Sequence, residues 1–116
     1  MTRYKAKHLI QSVEYVTGIN FGDITGPSRN REIVQARRLL AYALYRHCLT
    51  EPGLPSVAVM MNRPATSHTS VHQQVCKAKQ LMQAQGDDGE AFKTAMANVL
   101  SRARSLSVSH NQQVAE

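Results

Sequence analysis

Residues 54–81, LPSVAVMMNRPATSHTSVHQQVCKAKQL, decide how the rest of the chain is read. The stretch opens on Leu54-Pro55, and proline suits the first turn of a helix because its missing N–H would have had no partner there. A short apolar segment follows, breaks at Asn62-Arg63-Pro64 and restarts after Thr66-Ser67. In the restarted segment Val71, Val75, Ala78 and Met82 recur at spacings of four, three and four, which makes them one helical stripe. Ser67 is placed to cap that helix, its hydroxyl accepting from an orphan N–H of the first turn. His68, Thr69 and Ser70 fill the opening turn with short hydrogen-bonding side chains. Two helices with a tight turn between them, the second starting on polar groups, is the layout of a helix-turn-helix.

Upstream, residues 28–48 (SRNREIVQARRLLAYALYRHC) carry a continuous stripe of Ile33, Ala36, Leu40, Ala43 or Leu44, and Cys48. This predicts the central helix, with Ala36, Ala41 and Ala43 letting neighbours approach closely. Its start is crowded with Arg29, Arg31, Arg37 and Arg38. Cations there oppose the helix macrodipole at a cost of about a few tenths of a kcal/mol each. An anion held at that end would offset the cost; arginines pointing into water would account for the same pattern.

Residues 4–17 read as a first amphipathic helix, with Leu9, Val13 and Val16 as its stripe, Ile10 beside it and Gly18 as its stop. Residues 20–25 read as a short helical turn sending Phe21 and Ile24 inward, ended by Gly26-Pro27. Downstream, Gly86-Asp87-Asp88-Gly89 is a break, and residues 90–106 form a last helix with Phe92, Met96, Val99 or Leu100, and Ala103 inward. The pattern is lost over 107–116, read as a disordered tail to a domain of residues 1–106. Six helical segments on short loops predict an all-α cluster.

At 116 residues, 42% of them hydrophobic, the chain suits one domain with a modest core. No alternating β-branched run suggests a sheet. Aromatics are few and Trp is absent, which leaves little for stacking on single-stranded nucleic acid. Fourteen Lys and Arg against eight Asp and Glu give a net charge of +6 and a pI near 9.8, a balance that favours an anionic partner such as a phosphate backbone. Cys48 and Cys76 lack C-x-x-C spacing and read as buried free thiols in a reducing compartment. No apolar run approaches a membrane span, and the N-terminus lacks the core of a signal peptide. The expected location is the cytoplasm, on the nucleoid, with no membrane partner.

His68 and His72 share a helix face at a spacing that can hold a metal, yet no acidic or thiol third ligand sits at a recognisable spacing. No metal site is expected, and no cofactor. Ser67 and His68 are adjacent, so they point about 100° apart, and no nucleophile elbow or orienting acid surrounds them. There is no glycine-rich phosphate loop, so no nucleotide is expected. Asp87, Asp88 and Glu90 stand where acids are favoured at a helix start anyway. The chain is not read as an enzyme.

The run Ser67-His68-Thr69-Ser70-Val71, followed by Cys76-Lys77, resembles the signature of the C-terminal DNA-binding domain (domain IV) of the bacterial replication initiator DnaA, where Asp-His-Thr-Thr-Val leads into a basic helix. Leu54-Pro55 before a short apolar helix is similar to the start of that family's motif. Ser28-Arg29-Asn30-Arg31 and Ala36-Arg37-Arg38 are similar to its basic loop and long helix. The resemblance covers about residues 8–105. It implies a Trp-repressor-like bundle of about six helices containing a helix-turn-helix, and sequence-specific binding of a short asymmetric site in double-stranded DNA. By position it implies Arg29 in the minor groove, and Arg37, Arg38 and the backbone near Leu54-Pro55 on phosphate. His68, Thr69 and Ser70 would face the major groove, with Arg31 in the basic loop and Lys77 in the basic helix of the same DNA-binding set. The physical fit is good: a major groove admits a helix, Thr meets the thymine methyl, and arginine reads a narrow minor groove.

Two departures matter. Ser67 stands where the family carries Asp, which can accept from cytosine N4, so the preferred site is expected to differ or to be looser. The family's ATP-binding module has no counterpart here, and what the resemblance transfers is duplex recognition alone. The expected role is regulation of replication initiation or transcription at initiator-box-like sites. The alternative is a helical interaction module acting on the full-length initiator or another replication protein with little DNA binding of its own.

Overall fold

The longest apolar stripe in the sequence becomes the axis of the molecule. A computed structural model describes residues 3–49, 53–61 and 68–115, with the backbone alone for 54, 55, 68 and 108–115. Among these residues six helices follow one another: α1 (Ala6–Thr17), α2 (Phe21–Ile24), α3 (Arg31–His47), α4 (Leu54–Met60), α5 (His68–Gln83) and α6 (Asp87–Ala115). The described residues hold no strand, only an isolated parallel bridge between Tyr4 and Cys48. There the Tyr4 N–H donates to His47 O and the Leu49 N–H to Tyr4 O, each at 2.8 Å. The chain is an all-α bundle, as its periodicity predicts.

α3 is central because its apolar residues run most of the way round it. Ala36, Leu39, Leu40, Ala41, Ala43 and Leu44 are all buried, and all five other helices pack against it. The three alanines on that surface keep the approach close. Onto it α1 lays Leu9 and Val13, α4 lays Val57 and Ala58, α5 lays Val71, Val75 and Ala78, and α6 lays Phe92, Met96, Val99 and Ala103. Burying a Val, Leu or Met side chain is worth about 1.5–3 kcal/mol against leaving it in water. Polar side chains set the joints. Gly18, at φ 72°, ends α1 by donating its N–H to Glu14 O, and the Glu14 carboxylate accepts from the Phe21 N–H at 2.8 Å, tying α1 to α2. Asn20 caps α2 by accepting from the Asp23 N–H at 2.9 Å. Asn30 caps α3 by accepting from the Glu32 N–H at 2.9 Å, so α3 begins at Arg31 rather than at Ser28.

Three expectations change. Gly89 does not belong to a break: α6 begins at Asp87, and Gly89 is buried in its first turn. A Cβ there would stand 2.5 Å from Ala84 O, so the glycine answers a close approach of two backbones. The helix also continues past Leu106 to Ala115, across the stretch read as a tail. Residues 107–115 contain neither Gly nor Pro, the two residue types that most oppose a helix. Finally, Cys48 is buried but Cys76 is only partly buried.

Candidate nucleic-acid interface

Two segments remote in sequence meet at one end of the bundle. The first is the loop between α2 and α3. Arg37, one turn and a half into α3, turns inward and is 8% exposed. Its Nε donates to Ile24 O at 2.9 Å, and its Nη2 donates to Gly26 O at 2.7 Å and to Ser28 O at 2.9 Å. A planar guanidinium, with five donors in a fixed fork, can serve all three of these carbonyls at once. Arg37, to which the resemblance assigns a phosphate contact, thus spends its Nε and Nη2 on organising the loop from below. The loop is tightened further by the Asn30 N–H, which donates to Ser28 Oγ at 3.2 Å. Arg29 stands exposed at its tip.

The second segment is the start of α5. Val71 and Val75 anchor it to the core, which leaves Thr69 and Ser70 exposed in the first turn and Lys77 exposed two turns further on. α4 packs against α5 and carries Pro55 in its first turn. It closes with the Met61 N–H donating to Val57 O at 3.0 Å and Ala58 O at 3.1 Å. His68 opens α5, and Leu54 and Pro55 open α4, by backbone position; their side chains lie outside the described ones. Ser67, with the expected cap and the turn of residues 62–67, also lies outside the described residues.

A cleft of about 220 Å³ joins the two segments, with Ser28 and Arg29 on one wall and Ser70 and Gln74 on the other. Arg37 and Met61 also line it. Gln74 Oε1 is buried and finds no hydrogen-bond donor among the described residues. Sequence reading missed Gln74, although its spacing of four from Ser70 puts both on one face.

The other predicted cations go elsewhere. Arg31 Nη2 lies 3.7 Å from Asp88 Oδ1 of α6, with both side chains mostly in water. The pair borders a separate groove of about 620 Å³ between α1, α3 and α6, lined by Ile19, Gln35, Leu39 and Phe92 among others. Arg38 is partly buried, its Nε without a partner among the described residues. Of the four arginines at the start of α3, then, Arg29 is the one that stands exposed beside α5.

Further along α5, Cys76 Sγ stands 3.5 Å from His72 Nε2, a contact the sequence reading did not anticipate. No group of three or more His, Cys, Asp or Glu among the described residues is placed to hold a metal. No described helix is long and apolar enough to cross a membrane. Compared with known proteins, the chain matches no family model, and no curated protein matches it.

Proposed function

We propose that this chain binds double-stranded DNA with specificity for sequence, α4 and α5 acting as the two helices of a helix-turn-helix and the loop at Arg29 as a second contact. The observation that carries this reading is the shared cleft, which sets Arg29 beside Ser70 at the exposed start of α5. A helix that offers its first turn to a major groove, with an arginine on an adjoining loop, has the bipartite shape needed to span neighbouring grooves. Thr69 and Ser70 reach base edges, His68 follows from its place at the head of the helix, and Arg29 enters the minor groove. Arg38, Lys77 and the backbone at the start of α4 meet phosphate, and the net charge of +6 supplies the long-range attraction. The resemblance to the C-terminal domain of DnaA belongs to this proposal, as do a nucleoid location and a role in replication initiation or transcription at initiator-box-like sites.

The experiment is a mobility-shift series on duplexes carrying the initiator box and on scrambled controls, over a range of salt. Preferential binding to the box that weakens with salt is the expected result. Equal binding to both at every salt concentration would sink the specific reading. If Arg29→Ala with His68→Ala abolishes binding and leaves the cellular effect intact, the chain works as an interaction module on another replication protein.

A further inference from the structure

Gln73 stands exposed on α5, four residues after Thr69 and four before Lys77, which are exposed too. Spacings of four keep the three on one face of the helix. Val71, Val75 and Ala78 are buried on the other side, and at 3.6 residues per turn Gln73 falls nearly opposite their mean direction. We propose that Gln73 is a specificity-determining residue that reads an adenine in the major groove, its Nε2 donating to N7 and its Oε1 accepting from the N6 amino group. The inference rests on the duplex-binding reading of α5 and adds to it a residue and the base it reads.

The polar neighbours of Gln73 on the same turn are engaged elsewhere. His72 meets Cys76 Sγ with its Nε2 at 3.5 Å, one turn further along the helix. Gln74 lines the cleft at Arg29, with its Oε1 buried. No hydrogen bond or ion pair among the described residues involves the Gln73 side chain, so its amide is available to a ligand. The sixteen residues of α5 include no Asp or Glu, and no carboxylate of the helix repels a phosphate backbone laid against it. A helix that enters a groove by its first turn rises away from the bases beyond it, and four residues are about 6 Å of rise. Thr69 and Ser70 carry their hydroxyls directly on Cβ, which suits the first turn. Gln73 carries its amide two carbons beyond Cβ and so reaches a base edge from the second turn. Its donor and acceptor lie side by side in one plane, matching the N7 acceptor and N6 donor of adenine. Guanine presents two acceptors at the same place and would set its O6 against Oε1, while thymine and cytosine each present a single polar group.

The test uses the full chain. Preferred duplexes are selected from a random pool by the native protein and by Gln73→Ala, and affinities for the selected site are measured by fluorescence anisotropy. The native protein is expected to require one A·T pair that Gln73→Ala no longer requires, with the other positions keeping their preference. Replacing the adenine of that pair by 7-deazaadenine, which lacks the N7 acceptor, should weaken native binding by about fivefold or more and leave Gln73→Ala binding as it was. Gln73→Glu should move the preference there to C·G, because a carboxylate accepts from cytosine N4. The salt slope of Gln73→Ala should equal the native one, since no phosphate contact is lost, and circular dichroism checks that each variant remains helical. Coinciding selection profiles for the native protein and Gln73→Ala, a loss in Gln73→Ala that is equal on every duplex, or an equal response of both to 7-deazaadenine overturns the proposal and leaves duplex recognition by α5 standing. A native protein that selects no sequence overturns both.

Discussion

Arg37 and Ser28 are joined by a 2.9 Å hydrogen bond from the guanidinium Nη2 to the Ser28 carbonyl, and the same side chain also holds Ile24 O and Gly26 O. One buried cation thereby fixes the whole passage from α2 into α3. Orphaning a buried acceptor costs about 1–3 kcal/mol, with charge-assisted bonds at the upper end. Arg37→Ala is therefore expected to destabilise the fold by about 3 kcal/mol in urea unfolding. Arg37→Lys should recover only part of that, because one ammonium cannot span three carbonyls in a plane. A loss below about 1 kcal/mol for Arg37→Ala would show that the loop holds itself.

Arg29 and Arg31 are separated by one residue, yet only Arg29 borders the cleft beside α5, while Arg31 faces Asp88. Arg29→Ala should leave the unfolding midpoint unchanged and weaken duplex binding, lowering the salt slope by about 1. Arg31→Ala should weaken duplex binding less than Arg29→Ala does. Affinities measured by fluorescence anisotropy across a salt series would expose the opposite order.

Gly89 supplies a prediction whose sign runs against helix propensity. Within a helix, Gly→Ala ordinarily gains about 1 kcal/mol. Here the added Cβ would meet Ala84 O at 2.5 Å. That carbonyl is held in place by Lys93 Nζ, which donates to it at 2.9 Å. Gly89→Ala should accordingly destabilise by about 1–3 kcal/mol, an overpacking cost. A raised melting temperature in calorimetry would show that α5 and α6 can separate at this joint.

His47, at the end of α3, has its pKa lowered from the ordinary 6.5, first by burial and then by the neighbouring charges of Arg46 and Arg3. The unfolded chain then takes up the proton at a higher pH than the folded one. Stability from this group is complete above pH 6.5 and is lost as pH falls from there through the lowered folded value. His47→Gln keeps the backbone carbonyl that accepts from the Tyr4 N–H and removes the titration. Its denaturation midpoint should fall less steeply than that of the native chain between pH 7 and about pH 5. Parallel curves would mean that other groups carry the acid sensitivity.

The helices and their buried stripes could be read from sequence because they depend on a local repeat. Leu9 and Val13, Leu40 and Leu44, Val71 and Val75, and Met96 and Val99 share faces through the backbone period of their own segment, and all are buried. The capping by Asn20 is likewise local, reaching only to Asp23. Net charge and the polar start of α5 are properties of composition and order. The destinations of the arginines are not local. Arg29, Arg31 and Arg37 are alike in sequence, and a long flexible side chain turns toward whatever acceptor another segment brings near. The carbonyls that draw Arg37 inward come from 9 to 13 residues upstream, and the carboxylate facing Arg31 comes from α6. Gly89 looks like punctuation in the sequence because the backbone it must clear, at Ala84 in the linker, is set by how the chain turns from α5 into α6, which residue types alone do not reveal. The all-α class, the core stripes and the net positive charge follow from local repeats and composition. Which cation is buried in the fold and which stands beside α5 is settled by packing, since that choice depends on partners that no local pattern contains.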